Sequence, residues 1–180
     1  MKTILLTFAL LALTLFAAAQ EQTPPPDDPR HTFHDELLDK MTGPWKLTGT
    51  IRGQTVEHKV DAQWTLNHQF LQVHEKDVAT PPAYEANVMI GYDSTSERYV
   101  AHWLDIYGGR VSETLGYGTR SSDQIEFVFE YPDGPFHTTF RWMADKKQWQ
   151  WKMRTKNSAG KWTDFADLML TPVSAASPKH

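Results

Sequence analysis

Asp105 and Glu113 are the residues from which chemistry is most readily argued. They lie in Arg98–Tyr117, RYVAHWLDIYGGRVSETLGY. Alternation puts Tyr99, Ala101, Trp103, Asp105 and Tyr107 on one face of a first strand, and Val111, Glu113, Leu115 and Tyr117 on one face of a second. A three-residue loop at Gly108–Arg110 sets Tyr107 opposite Val111 and Asp105 opposite Glu113, on the same face as Trp103 and Tyr117. Two carboxylates opposed among aromatic rings cannot both ionise cheaply, so one is expected to hold a proton. Such a pair suits the anchoring of a cationic ligand or acid–base work. The plainer alternative bridges one carboxylate to Arg110, Arg141 or a turn amide, or leaves it at a wet barrel mouth.

Other residue types are weaker candidates. His58 lies on an otherwise apolar face with Val56, Val60, Ala62 and Trp64. It could ligate haem iron or relay a proton, but a satisfied core histidine is the preferred reading. His31-x-x-His34 has no evident third ligand, so no metal site is assigned. Ser112 and Ser121 have no Gly-x-Ser-x-Gly context or placed base, and no glycine-rich phosphate loop opens a helix. No cofactor is therefore expected. Trp64, Tyr92, Trp103, Trp149 and Trp151 could line a pocket or form the packing core.

The elements that must position these groups are almost all strands. Trp45–Arg52 alternates Trp45, Leu47, Gly49 and Ile51, and Thr55–Leu66 alternates Val56 through Leu66. Phe70–Val78, Tyr84–Tyr92, the two strands of Arg98–Tyr117, Gln124–Tyr131, Phe136–Met143, a strand carrying Trp149, Trp151 and Met153, and Trp162–Leu170 follow. Short polar or Gly/Pro turns join nearly all of them. The pattern predicts an all-β, up-and-down antiparallel barrel of about ten strands, whose closure removes sheet edges. A barrel of that size has room for one small ligand. One short N-terminal helix is predicted over Thr32–Met41, with Thr32 as its cap and Asp35 in a capping-box position. Phe33, Leu37, Leu38 and Met41 form its apolar stripe, and Gly43-Pro44 ends it.

Met1–Ala19 reads as a secretory signal: Lys2, an apolar run over Ile4–Phe16, and Ala17-Ala18-Ala19 as a small-residue exit. Residues 20–31 form a Pro-rich linker, 32–172 the barrel and 173–180 a polar tail. The predicted location is the periplasm or outside the cell, with no membrane insertion after signal removal. The net charge is −4 and becomes more negative when Lys2 leaves with the signal. That argues against nucleic acid or an anionic membrane surface as partner. The chain has no Cys, so an exported form relies on its core alone, including seven Trp.

Gly43-x-Trp45 at the start of the first strand, after a short helix, resembles the Gly-x-Trp entry of lipocalin-like (calycin) barrels. Over Leu37–Pro172 the chain resembles more closely an uncharacterised family of secreted bacterial proteins with that fold. Trp64 with Phe70-Leu71, Gly91-Tyr92-Asp93, Tyr99-x-x-x-Trp103-x-Asp105 and Gly108 carry the resemblance. It departs at Asn67-His68-Gln69, where that family usually shows Gly-Gly-Arg. The resemblance implies a fold and lends little to function.

The expected function is binding of a small, partly apolar molecule. Trp64, Tyr92, Trp103, Tyr117 and Trp151 would form the binding face, and Asp105 and Glu113 the polar contact. The alternative is an isomerase- or hydrolase-like enzyme that uses Asp105 and Glu113 as acid and base. A third reading is a partner-binding module acting through the barrel rim. Water-filled space beside Asp105 would favour the first or second reading, and solid packing would exclude both.

Overall fold

The computed structural model describes Asp28 and residues 31–173. The predicted signal, nearly all of the linker and residues 174–180 of the tail lie outside the described residues. The chain divides into Met1–His31 and Thr32–His180, and the second unit carries the fold. Ten strands follow one another: β1 (Gly43–Ile51), β2 (Gln54–Thr65), β3 (Phe70–Asp77), β4 (Glu85–Asp93), β5 (Arg98–Asp105), β6 (Gly116–Arg120), β7 (Gln124–Tyr131), β8 (Gly134–Met143), β9 (Gln148–Lys156) and β10 (Trp162–Pro172). Each pairs antiparallel with the next, and β1 pairs with β10 from Trp45↔Pro172 to Ile51↔Ala166. The result is the expected closed up-and-down barrel. Among the described residues no helix is long and apolar enough to cross a membrane.

Period-two alternation fills the interior. Ile125, Phe127 and Phe129 of β7, Phe140 of β8, and Trp149 and Trp151 of β9 are all fully buried. Their rings pack at short range, with Phe140 and Trp151 centroids 4.6 Å apart and Trp103 and Trp151 5.5 Å apart. The middle of the barrel is therefore a solid aromatic core.

The N-terminal helix is shorter than expected. Helix α1 spans Glu36–Asp39, and its cap is Asp35 rather than Thr32. The Asp35 carboxylate accepts from the Leu37 and Leu38 amides at 2.8 and 2.9 Å, which satisfies donors that a helix start leaves free. Phe33 precedes the helix and packs against Trp64, Tyr92 and Tyr99. Leu37, Leu38 and Met41 are buried in the barrel end.

Three tryptophans hold this plug. The indole Nε1–H of Trp45 donates to the Met41 carbonyl (2.6 Å), that of Trp64 to the Asp39 carboxylate (2.8 Å), and that of Trp149 to the Lys40 carbonyl (3.2 Å). Asp35 also accepts from the Tyr99 hydroxyl and pairs with Arg120 at 3.0 Å. The plug is thus tied to β1, β2, β5, β6 and β9.

The expected hairpin at Gly108–Arg110 is not formed. Gly109–Ser112 coil into a second short helix, α2, and β6 begins only at Gly116. The Ser112 hydroxyl donates to the Gly108 carbonyl (3.1 Å), and His102 Nε2 donates to the Ser112 carbonyl (2.8 Å). Where β5 and β6 do pair, Tyr99 faces Gly118, Val100 faces Tyr117 and Ala101 faces Gly116. This register differs by one residue from the hairpin expectation, and a one-residue slip exchanges the two faces of a strand. Gly116 and Gly118 point inward because the rings of Phe129 and Phe127 occupy their side-chain space. A Cβ on either glycine would fall 2.5 or 2.6 Å from those rings.

Trp45→Ala should destabilise the barrel by about 3–5 kcal/mol, the usual range for emptying a buried Trp position. Trp45 is only 5% exposed and also loses its bond to Met41. A chemical-denaturation midpoint unchanged by the substitution would contradict the sealed-end arrangement.

Candidate functional site

The residues expected to form one binding face are distributed over five places. Trp64 and Tyr92 are at the plugged end, where Tyr92 stacks on Phe33 at 5.4 Å. Trp151 is buried in the middle of the barrel, with its indole donating to Thr138 Oγ1 at 2.7 Å. Tyr117 is outside the wall, with the Arg98 guanidinium 3.6 Å above its ring. Glu113 caps the C-terminal end of α2 and is exposed. Only Trp103 and Asp105 share the end of the barrel opposite the plug. The opposed Asp105–Glu113 pair does not exist, since Asp105 lies beside Ala86 of β4 and β6 starts three residues after Glu113. The enzyme alternative built on that pair loses its geometry.

A different constellation surrounds Asp105. Strand register sets Val60, Glu75, Ala86 and Asp105 in one inward row across β2, β3, β4 and β5. Adjacent strands lie about 4.8 Å apart, so the Glu75 and Asp105 backbones are roughly 10 Å apart, with only the Ala86 methyl between them. Tyr84, two residues before Ala86, occupies the space above that methyl. Its hydroxyl donates to Asp105 Oδ2 at 3.3 Å and accepts from the Trp103 indole at 3.0 Å. Its ring stacks on His58 at 6.0 Å. His58 Nδ1 in turn meets Glu75 Oε1 at 2.5 Å, and both residues are buried. A carboxylate oxygen accepts, which assigns the proton on this face of the imidazole to Nδ1.

Two tyrosines report the charge in this region. The Tyr84 phenol is pushed far above its ordinary range, first by burial and then by the charge of Glu75, with Asp105 adding to the shift against the opposing Trp103 hydrogen bond. Tyr131 is raised by burial and by the charge of Asp105. Tyr131 stacks on Phe129 at 5.7 Å and meets Phe136 at 6.2 Å, while Tyr107 approaches Tyr84 at 6.3 Å. Tyr84, Asp105, Tyr131 and Phe136 are half-buried and Tyr107 is exposed. This end is a mouth with an aromatic rim, a carboxylate at its edge and a buried acid–histidine pair below.

His58 is therefore a satisfied core histidine, as preferred from its position. Its partner Glu75 and the bridging Tyr84 are site residues that sequence reasoning missed. The signal was present: Leu71, Val73 and Glu75 share one face of β3, which puts a carboxylate on an inward position. The two best-formed depressions among the described residues lie elsewhere, on the outer wall. One, about 560 Å³, runs over Lys59, Asp61, His74 and Lys76. The other, about 240 Å³, lies over Glu126, Arg141, Lys152 and Arg154. Both are open grooves between surface charges, and neither touches the mouth.

A closed ten-strand up-and-down barrel, plugged by a helix at one end and polar–aromatic at the other, defines the class of this protein. Within that class the chain belongs to the family described as "Protein of unknown function (DUF1579)", whose sequence profile matches residues 30–171 and so takes in nearly the whole barrel. None of the curated proteins matches the chain.

Tyr99 is also raised, by burial first and then by its bond to Asp35. Tyr84, Tyr99 and Tyr131 thus have folded values above their unfolded ones. Their contribution to stability is complete below about pH 10 and is lost as pH rises through the folded values. Absorbance titration should show Tyr84, Tyr99 and Tyr131 as a late class that ionises together with unfolding. Tyr84→Phe should remove one member of the late class. Ionisation of these three near pH 10 with the fold intact would contradict the placement.

Proposed function

We propose that this protein is an exported small-molecule-binding barrel of lipocalin-like character, and that its ligand sits at the mouth formed by Trp103, Asp105, Tyr84, Tyr131 and Tyr107. The observation that carries the reading is the asymmetry of the two ends. The plugged end commits its polar groups to holding the N-terminal helix. At the other end, half-buried aromatic rings and the Asp105 carboxylate lie at the rim, and among the described residues no counterpart of the α1 plug is bonded over them. Aromatic side chains with a few placed polar groups are the ordinary composition of a small-molecule site. The solid core below excludes a deep calyx, so a ligand is held at the rim, partly in solvent. Export rests on the Met1–Ala19 pattern and puts the ligand in the periplasm or outside the cell.

Native mass spectrometry of the protein purified from its own host tests both parts at once. The chain mass should correspond to a start near Gln20, with a further non-covalent mass of a small molecule. Trp103→Ala and Asp105→Asn should lose the additional mass, and Glu113→Gln should retain it. A chain that still begins at Met1 would overturn export. A bare chain, or a ligand retained by both mouth variants, would overturn the binding site.

A further inference from the structure

We infer that the molecule taken at this mouth is a cation, a protonated amine or quaternary ammonium group, held by Asp105 against aromatic rings. The inference rests on the mouth being the binding site and adds the chemical class of its ligand. Asp105 is half-buried, and its partners are the Tyr84 hydroxyl at 3.3 Å and the Tyr107 amide at 2.9 Å. Both are neutral donors. Among the described residues no Lys, Arg or His pairs with it. Asp77 and Asp93, also half-buried, accept from the amides and hydroxyl of their own turns, whereas three other shielded carboxylates each have a cation. Asp35 has Arg120, Glu75 has His58, and Glu85 has both His74 and Lys76. A carboxylate drawn out of water without a counter-charge is costly, and an arriving cation relieves that cost.

The surroundings favour a cation further. Tyr84, Tyr107 and Tyr131 present π-systems around Asp105, and Trp103 of the same strand face lies below. Aromatic faces attract cations through the ring quadrupole, most strongly where water is excluded. Glu75 is buried and paired with His58, so an anionic ligand at this mouth would meet the Asp105 carboxylate and no described cation bonded to it. The apolar rings accept the methyl groups or hydrocarbon of the same ligand.

The test uses choline and benzyltrimethylammonium as cations, 3,3-dimethylbutan-1-ol as the neutral isostere of choline, and benzoate as an anion. The readout is the Trp103 indole resonance in ¹H–¹⁵N spectra of the full chain, which senses the Tyr84 hydroxyl it donates to. Both cations should shift it, with the neutral isostere about tenfold weaker or more and benzoate without effect. Asp105→Asn should weaken the cations by about tenfold or more, while Glu113→Gln leaves them unchanged. The comparison of choline with its isostere is made on the unaltered protein, so it stands even if Asp105→Asn folds poorly. Equal binding of the isostere, or of cations to Asp105→Asn, would overturn the inference. Should benzoate or the alcohol move Trp103 while neither cation does, the cation class falls and the mouth remains the site. If the ligand released from the host protein, added back, leaves Trp103 unmoved, both the mouth and the cation reading fall.

Discussion

The carboxylate of Asp35 is the point on which the architecture turns. It caps α1, takes the Tyr99 hydroxyl from β5 and pairs with Arg120 at the end of β6. A group only 8% exposed is costly to charge unless its oxygens are fully used, and here they accept from two backbone amides, a phenol and a guanidinium. The three indole bonds from Trp45, Trp64 and Trp149 add to the same plug. Together they explain why a helix of four residues, far too short to persist alone, is held in place. They also explain how a chain without disulfides closes one end of its barrel.

Closing one end concentrates the chemistry at the other. Among the described residues every buried side-chain polar atom has a partner, so the interior stores no unsatisfied group. The inward polar residues of the far half, His58, Glu75, Tyr84 and Asp105, form a linked chain from Glu75 through His58 to the Tyr84 ring and on to Asp105. Removing one member would strand its neighbour in a region with little water. Asp105 is the terminal member of this chain and is half-buried at the rim, whereas Glu75 and His58 are buried.

The barrel was legible because alternation is a local property. β7 runs over the residues that Ile125, Phe127, Phe129 and Tyr131 mark out, and β1 buries Trp45 and Leu47 as its pattern requires. The site was less legible because it depends on register between strands. Gly108-Gly109 suggested a tight hairpin, but the chain instead enters α2 there, and Tyr117 changed face with the one-residue slip. Thr32 looked like a helix cap by type, yet Asp35 takes that role because only its carboxylate also reaches Tyr99 and Arg120. Glu75 was hidden in another way: a carboxylate on an inward position reads as an exception until His58 is placed beside it across β2 and β3.

The central claim is that the barrel has one locked end and one open end. Native-state hydrogen exchange measures this most directly, because it reports local opening separately from global unfolding. The Leu37 and Leu38 amides and the indole protons of Trp45, Trp64 and Trp149 should exchange only through global unfolding, whereas amides of Ile106–Leu115 beside the mouth should exchange through local opening at far lower free energy. Exchange of the Leu37 and Leu38 amides as fast as that of the Ile106–Leu115 segment would contradict the account.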